Sequence, residues 1–475
     1  MRLKALDLEA LSDYEDCEIT SLAFRLDDVR DGSLFFCLDG VNADGHDFAE
    51  EAAARGAKAF VCEKDLPGSL LQVRVKNSRR QLALTSAAFY GHPARSLKII
   101  AVTGTNGKTT TSYIIKGILE SAGFKVGLIG TNCVMIGDVK SAATLTTPDP
   151  TDLHKIFAEM LSEGTEYVVM EASAHALWLN KLDGIVFEVA AFTNLTQDHL
   201  DFFGTMEKYA QAKRRLFTSG AAKRCVLNVD DPFGRELAVD CENAVTYGSE
   251  NPSDIFAIDL KMSTGGLDYY LNSFDDIAEV KFNLPGRFNM YNTLCAAAVA
   301  AALDLPIKHV VRGIRRVTKI DGRFNMIGMS KCNVIIDFAH TPDGLESILK
   351  SIREFAEGRI ITIFGCGGDR DKTKRPIMGA VVASLSDITV VTSDNPRSED
   401  PKAIMSDIVE GIHGGEYVCI EDRKQAVRYA IGEAKQGDIV LIAGKGAETY
   451  QEIDGVKYEY NDERFVMELI EEGGL

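Results

Sequence analysis

The sequence predicts an α/β fold in three domains. These are a small α/β N-terminal domain over residues 1–94, a central parallel-sheet domain of the P-loop type over 95–320, and a C-terminal Rossmann-like α/β domain over 321–475. Three observations predict it. Short apolar runs alternate with helical patterns along the chain, as buried parallel strands joined by helices require. The stretch Thr103–Thr111, TGTNGKTTT, leads from one such run toward a helix. Beyond Gly322 the alternation starts afresh, and each new apolar run ends in a polar, glycine-permissive loop.

Composition narrows the function. The chain has 475 residues, 45% of them apolar and 26% charged, enough for several cores. Its net charge of −18 argues against a nucleic-acid or anionic-membrane surface, because phosphate contacts need basic density. A nucleotide site must then be a local basic island. The ten cysteines are scattered without a CxxC pair, which suits free thiols in a reducing cytoplasm better than disulfides or zinc. Charges break every apolar run of Met1–Asp16, so no signal peptide is expected. The longest uncharged stretch, Asn289–Leu303, is alanine-rich and too short to span a bilayer.

In chain order, strands are expected at Ser33–Leu38 and Ala59–Glu63, with a helix around Phe48–Arg55. The apolar run Leu97–Val102 reads as a buried strand and Ser112–Ala122 as a helix closed by Gly123. Central strands follow at Val126–Ile129, Tyr167–Met170, Val189–Thr193 and Cys225–Asn228. A polar, weakly patterned insert occupies Ser249–Asp276, and a helix over Asn292–Leu303 closes the region. The last domain has strands at Val334–Ile336, Ile360–Phe364, Ile388–Thr392 and Ile439–Ala443.

A strand, a glycine turn and a helix N-terminus form an anion cradle, because backbone N–H groups and the helix dipole point at the ligand. Gly104, Thr105, Asn106, Gly107 and Thr110 are the expected cradle, with Lys108 reaching the outer phosphates and the Thr109 hydroxyl ligating Mg²⁺. The loop is not the standard P-loop, since Val102 stands where the first glycine would be. Glu171 follows a strand and is placed to hold the same Mg²⁺. Read alone, it serves equally as a helix-capping acid. Polar loops also end the strands before Asp337–Asp343 (DFAHTPD), Gly365–Asp371 (GCGGDRD), Asp394–Arg397 (DNPR) and Gly444–Glu448 (GKGAE). Four such strand ends describe a binding crevice.

TGTNGKTT, EASAH, NLTQDHLD, AKRRLF, DFAHTPD, GCGGDRDKTKRP, DNPRSEDP and GKGAE recur in order, and together they resemble a Mur ligase. The type most similar adds the third amino acid to UDP-N-acetylmuramoyl-L-alanyl-D-glutamate. The resemblance implies ATP and Mg²⁺ as cofactors, and transfer through an acyl phosphate with ADP and phosphate released. It implies a second Mg²⁺ on His199 and on Lys213 carbamylated by CO₂, so that Lys108, Glu171, His199 and Lys213 are the catalytic set. Asn292, Arg323, Asp337 and His340 match the family's contacts to ATP. Thr146, Thr147, Ser173 and Lys181 match its contacts to the nucleotide-sugar substrate. Arg370, Asp394, Asn395, Pro396, Arg397, Gly444 and Glu448 match those to the amino acid. In family members that use meso-diaminopimelate this arginine meets the distal carboxylate that lysine lacks, so the resemblance implies meso-diaminopimelate rather than lysine, and a guanidinium suits such a carboxylate.

Leu26, Ala174, Leu179, Lys181 and Ala447 depart from the family pattern, mostly toward the uridine side. A paralogous ligase with another carboxylate substrate, a folylpolyglutamate synthetase and a non-catalytic nucleotide-binding relative are the alternatives. The expectation is a cytoplasmic monomer, with no nucleic-acid or membrane partner.

Overall fold

The computed structural model describes residues 1–40, 43–218 and 220–472, and the chain divides into two compact units. The first comprises Met1–Thr103, Phe124–Ala190 and Ala212–Cys225. Here the strands Ser21–Ala23, Ser33–Phe36, Ala57–Cys62 and Gln72–Arg74 pair in parallel, in chain order. Both faces are apolar. Leu34, Phe36, Ala59 and Val61 join one cluster, and Phe35, Phe60 and Cys62 another, as the period of two demands.

Later in this unit Lys98–Thr103 pairs in parallel with Tyr167–Glu171, which pairs in parallel with Val126–Ile129. Glu171 is therefore the last residue of its strand rather than the first beyond it. An antiparallel hairpin of Cys133–Ile136 and Val139–Ala142, not expected from the sequence, extends the edge.

Helix Pro150–Ser162 packs on Ser78–Phe89 and carries His154, 1% exposed and edge-on to Phe157. Neither ring nitrogen of His154 has a hydrogen-bond partner among the described residues, and burial, aided by His92, lowers its pKa to about 4. An unfolded histidine takes its proton near pH 6.5, before the folded one can. Stability linked to His154 is thus complete above that pH and is lost as pH falls toward 4. Between pH 7.5 and 5 the loss is expected to be about 2 kcal/mol. Urea midpoints at the two pH values measure it, and His154→Leu is expected to flatten the difference.

The second unit comprises Gly104–Gly123, Ala191–Gln211 and Val226–Leu475. Its first helix runs Lys108–Ser121, four residues earlier than the sequence suggests, with Gly107 at φ 83° as N-cap. Three successive threonines weaken the helical signal, but tertiary burial overrides it: Thr111 Oγ1 donates to Asn292 Oδ1 at 3.3 Å. The helix expected from Asn292 likewise begins earlier, at Arg287, just after Gly286.

The insert expected at 249–276 is instead the main part of an antiparallel meander of Ile255–Ser263, Gly266–Ser273 and Asp276–Phe282. Leu267, Tyr269, Leu271, Val280 and Phe282 point inward, while Asp268, Tyr270, Ile277, Glu279 and Lys281 alternate with them on the open face. A register shift between Ile258 and Lys261 breaks the first strand's period, which hides it from pattern reading.

The C-terminal sheet has six strands in the order Asn325–Gly328, Cys332–Asp337, Asp438–Ala443, Ile360–Phe364, Ile388–Val391, Glu416–Cys419. All pairings are parallel except the first. Helices Pro342–Arg353, Lys374–Leu385 and Pro401–Val409 cover one face, and Arg423–Glu433 and Asp462–Glu471 the other. The four polar loops read from the sequence therefore leave four adjacent strands. Among the described residues no helix is long and apolar enough to cross a membrane.

Candidate active site

The phosphate loop is shaped by what cannot fit beside it. A Cβ on Gly104 would lie 1.8 Å from Thr193 Oγ1, and one on Gly107 2.3 Å from Asn292 Oδ1. The loop is pinned from the NLTQDHLD segment. The Thr105 N–H donates to Asn194 O at 2.8 Å, the Asn106 N–H to Asn194 Oδ1 at 2.9 Å, and Thr193 Oγ1 to Asn106 O at 2.6 Å. The Lys108 ammonium folds over the loop, donating to Gly104 O at 3.0 Å and Thr105 O at 2.8 Å. Thr110 is buried in the first helical turn.

Arg323 joins this group. Its Nη2 donates to Thr109 Oγ1 at 3.0 Å, and its guanidinium lies 4.6 Å over the Phe338 ring. Asp337 accepts from the backbone N–H groups of Phe324 and Ala339, both at 2.8 Å, so it fixes two turns, and burial raises its pKa. Asn292 sits beneath Gly107, 6% exposed.

His199 has left-handed backbone geometry, at φ 56°, and its Nε2 lies 3.2 Å from Asp198 Oδ2. Asp198 is a buried anion with Lys374 Nζ at 3.4 Å and His340 Nε2 at 3.9 Å. Burial alone would push its carboxyl up, but His199, His340 and Lys374 together hold it well below the usual range. A bond crosses from the TGTNGKTTT loop to the DFAHTPD loop: Asn106 Nδ2 donates to Asp343 Oδ2 at 2.7 Å. Neither Asp198 nor Asp343 was a candidate from the sequence, where each reads as an ordinary loop acid.

The DNPR and GKGAE loops meet around a lysine that is not a candidate from the sequence. Lys445, 0% exposed, donates to Asn395 Oδ1 at 2.9 Å, Glu448 Oε2 at 3.0 Å and Tyr450 O at 2.9 Å, with Asp394 Oδ1 at 3.7 Å. Asp394 is ionised despite burial because Lys445 and Arg423 face it. Arg423 is itself locked to Asp462 by two bonds of 2.9 and 2.8 Å. Gly444 allows close approach, since a Cβ there would lie 2.5 Å from Asp394 Oδ2.

Arg397 has left-handed geometry, at φ 53°. Its Nη1 donates to Gly368 O at 2.7 Å and its Nε lies 3.5 Å from Glu452 Oε2. Pro396 packs its carbonyl against Gly368. Arg370 is solvent-exposed and donates to Asp369 O. Glu452 belongs to the hairpin of Tyr450–Ile453 and Val456–Glu459, whose turn residues Asp454 and Gly455 both have positive φ. The Asp-Gly pair was the available sequence signal.

The first unit holds its own group of candidates. The Glu171 carboxylate accepts from the Thr131 N–H and Oγ1, both at 2.9 Å. Thr146 Oγ1 lies 3.1 Å from Thr131 Oγ1, and Thr147 Oγ1 donates to Glu171 O at 2.8 Å. Ser173 caps helix Ala174–Trp178 and donates its N–H to Thr147 Oγ1. Lys181 Nζ and Arg25 Nη2 bracket Asp149 at 2.7 and 3.0 Å. Lys213 lies in the last turn of helix Met206–Arg214 and is 1% exposed.

Three family models match in succession: "Mur ligase family, catalytic domain" over 27–97, "Mur ligase middle domain" over 102–300, and "Mur ligase, glutamate ligase domain" over 322–446. UDP-N-acetylmuramoyl-L-alanyl-D-glutamate--2,6-diaminopimelate ligase 1 of Clostridium acetobutylicum is 44% identical, over 96% of this chain and 95% of its own. The corresponding ligase of Bacillus licheniformis is 43% identical, over 96% of both. A solved structure of a UDP-N-acetylmuramoyl-L-alanyl-D-glutamate--2,6-diaminopimelate ligase aligns with a TM-score of 0.69 and 32% identity, over 96% of each chain. MurF ligase from Thermotoga maritima in complex with ADP shares the fold, with a TM-score of 0.63 and 21% identity over 90% of this chain and 94% of that one. The ordered motifs, the three matched segments and full-length identity above 40% have one meaning: the chain belongs to the Mur ligase family.

Proposed function

We propose that this chain is an ATP-dependent ligase that joins meso-diaminopimelate to the D-glutamate carboxylate of UDP-N-acetylmuramoyl-L-alanyl-D-glutamate in peptidoglycan precursor synthesis. The relatives of that name, at 40–44% identity over nearly the whole chain, support the reaction. Arg397, held by Gly368 O and Glu452 in the loop beyond a strand, is the observation on this chain that supports the amino acid: a guanidinium fork suits a distal carboxylate, which lysine lacks.

In this reading the substrate carboxylate attacks the γ-phosphate of ATP to give an acyl phosphate and ADP. The diaminopimelate amine then attacks the acyl carbon and phosphate leaves. Carboxylate and phosphate repel, so the site must neutralise charge and fix the approach. Lys108 leaves the two loop carbonyls it now caps and follows the phosphates. Arg323 shares the load at Thr109, and Thr146, Thr147, Ser173 and Lys181 orient the nucleotide-sugar substrate. The residues 1–94, 95–320 and 321–475 divide the work as substrate, ATP and amino-acid domains.

Oxygen donors of the kind Thr109 and Glu171 carry suit Mg²⁺, a hard cation. His199 and carbamylated Lys213 would hold a second ion. When bound, the ions neutralise phosphate charge. The chain acts as a monomer in the cytoplasm, a compartment that suits its ten free cysteines.

The test is phosphate and ADP release from ATP with diaminopimelate or lysine, each with and without the UDP-linked dipeptide. Release is expected only with diaminopimelate and the dipeptide together. Turnover with lysine alone would overturn the amino acid, and silence with the dipeptide would point to another carboxylate substrate.

A further inference from the structure

We propose that Thr131 is a positioning residue that orients the Glu171 carboxylate and, through the same hydroxyl, makes Thr146 a pure hydrogen-bond acceptor toward the bound nucleotide-sugar substrate. This rests on the reading above, in which Glu171 holds Mg²⁺ and Thr146 faces that substrate.

The geometry starts at a glycine. The strand Val126–Ile129 ends in a turn that passes so close to Glu171 that a Cβ on Gly130 would lie 2.3 Å from Glu171 Oε1. The next residue, Thr131, grips both carboxylate oxygens, its N–H on Oε1 and its hydroxyl on Oε2, each at 2.9 Å. Two donors on one residue fix the plane of the carboxylate, which a single bond would leave free to rotate.

Proton counting then sets the polarity. A threonine hydroxyl has one proton, and Thr131 gives it to Glu171. In the 3.1 Å contact with Thr146 the donor must therefore be Thr146. With that proton committed, Thr146 Oγ1 offers only lone pairs to anything else. It accepts an amide N–H or a hydroxyl and repels a bare carboxylate or phosphate oxygen. The chemical group expected at Thr146 is thus a donor on the peptide or sugar of the substrate. Thr147 reaches the same residue from the backbone side, donating to Glu171 O. Both threonines of one turn therefore lead to one glutamate, and seating the substrate also settles Glu171.

The test compares Thr131→Val, Thr131→Ser and Glu171→Gln in the full-length chain. Two readouts are needed beside kcat: the Mg²⁺ dependence of binding of a non-hydrolysable ATP analogue by calorimetry, and the KM for the UDP-linked dipeptide. Thr131→Val is expected to lower kcat about 10–100-fold, the usual cost of losing an outer-shell partner. It is also expected to blunt the Mg²⁺ dependence and raise the dipeptide KM, with Thr131→Ser restoring all three. Wild-type Mg²⁺ dependence and KM in Thr131→Val, or no rescue by serine at an unchanged melting temperature, would overturn the proposal. Glu171→Gln separates the two levels. If it leaves the Mg²⁺ dependence intact, the reading of Glu171 itself falls, and the proposal with it. If it abolishes that dependence while Thr131→Val does not, only the positioning role falls.

Discussion

Replacing Lys213 by alanine is expected to lower turnover about 10²–10³-fold, the range for removing one preorganised charge-stabilising group, while ATP binding persists. The physical reason lies in its burial: at 1% exposure, a long cationic side chain is held away from water at the end of a helix. Carbamylated, as the proposed function has it, it would be an anion able to hold Mg²⁺, and the alanine variant would leave a gap of matching shape. Added formate or acetate is expected to restore part of the activity by filling that gap with a carboxylate, and bicarbonate depletion is expected to slow the unaltered protein. Near-normal turnover of Lys213→Ala, or a loss that no short carboxylate relieves, would remove Lys213 from the metal-holding role.

The second large effect concerns Arg397. Removing a charge-assisted partner from a partly enclosed carboxylate site costs about 2–5 kcal/mol, or roughly 30- to several-thousand-fold in affinity. The loss is expected in the KM for diaminopimelate, with ATP affinity unchanged, because Arg397 contacts Gly368 and Glu452 and nothing on the phosphate loop. The Glu452 carboxylate adds to it, since without the guanidinium it repels the incoming one. Arg397→Lys is expected to recover little, as an ammonium cannot reproduce the planar fork. Unchanged diaminopimelate affinity in Arg397→Ala would remove Arg397 as the specificity residue.

What the sequence disclosed follows from which interactions are local. Strands such as Val126–Ile129 and Ile360–Phe364 were legible to the residue, because a buried parallel strand is a short apolar run bounded by turn residues. Glycine-rich strand ends were legible for the same reason. The meander at 255–282 was not, since a bulge interrupts the alternation of its first strand. The helix start at Lys108 was missed because burial of Thr109–Thr111, not propensity, decides it. Around the candidate site, Lys108 and Arg397 were legible as candidates from their motifs, whereas Thr131, Lys445, Asp343 and Asp198 were not. Those four matter through partners brought near by folding, and no spacing along the chain announces such a pairing.

The position of the strand Asp438–Ala443 has a consequence for synthesis on the ribosome. It pairs with Cys332–Asp337 on one side and Ile360–Phe364 on the other, yet it is translated after both. Until it emerges, those two strands have no common neighbour, and the nascent polypeptide carries unsatisfied edges of the kind that seed aggregation. A message truncated before Asp438 would yield a product missing the middle of a sheet rather than its tail. Cells are therefore expected to degrade such fragments, because the sheet cannot close until Asp438–Ala443 has emerged.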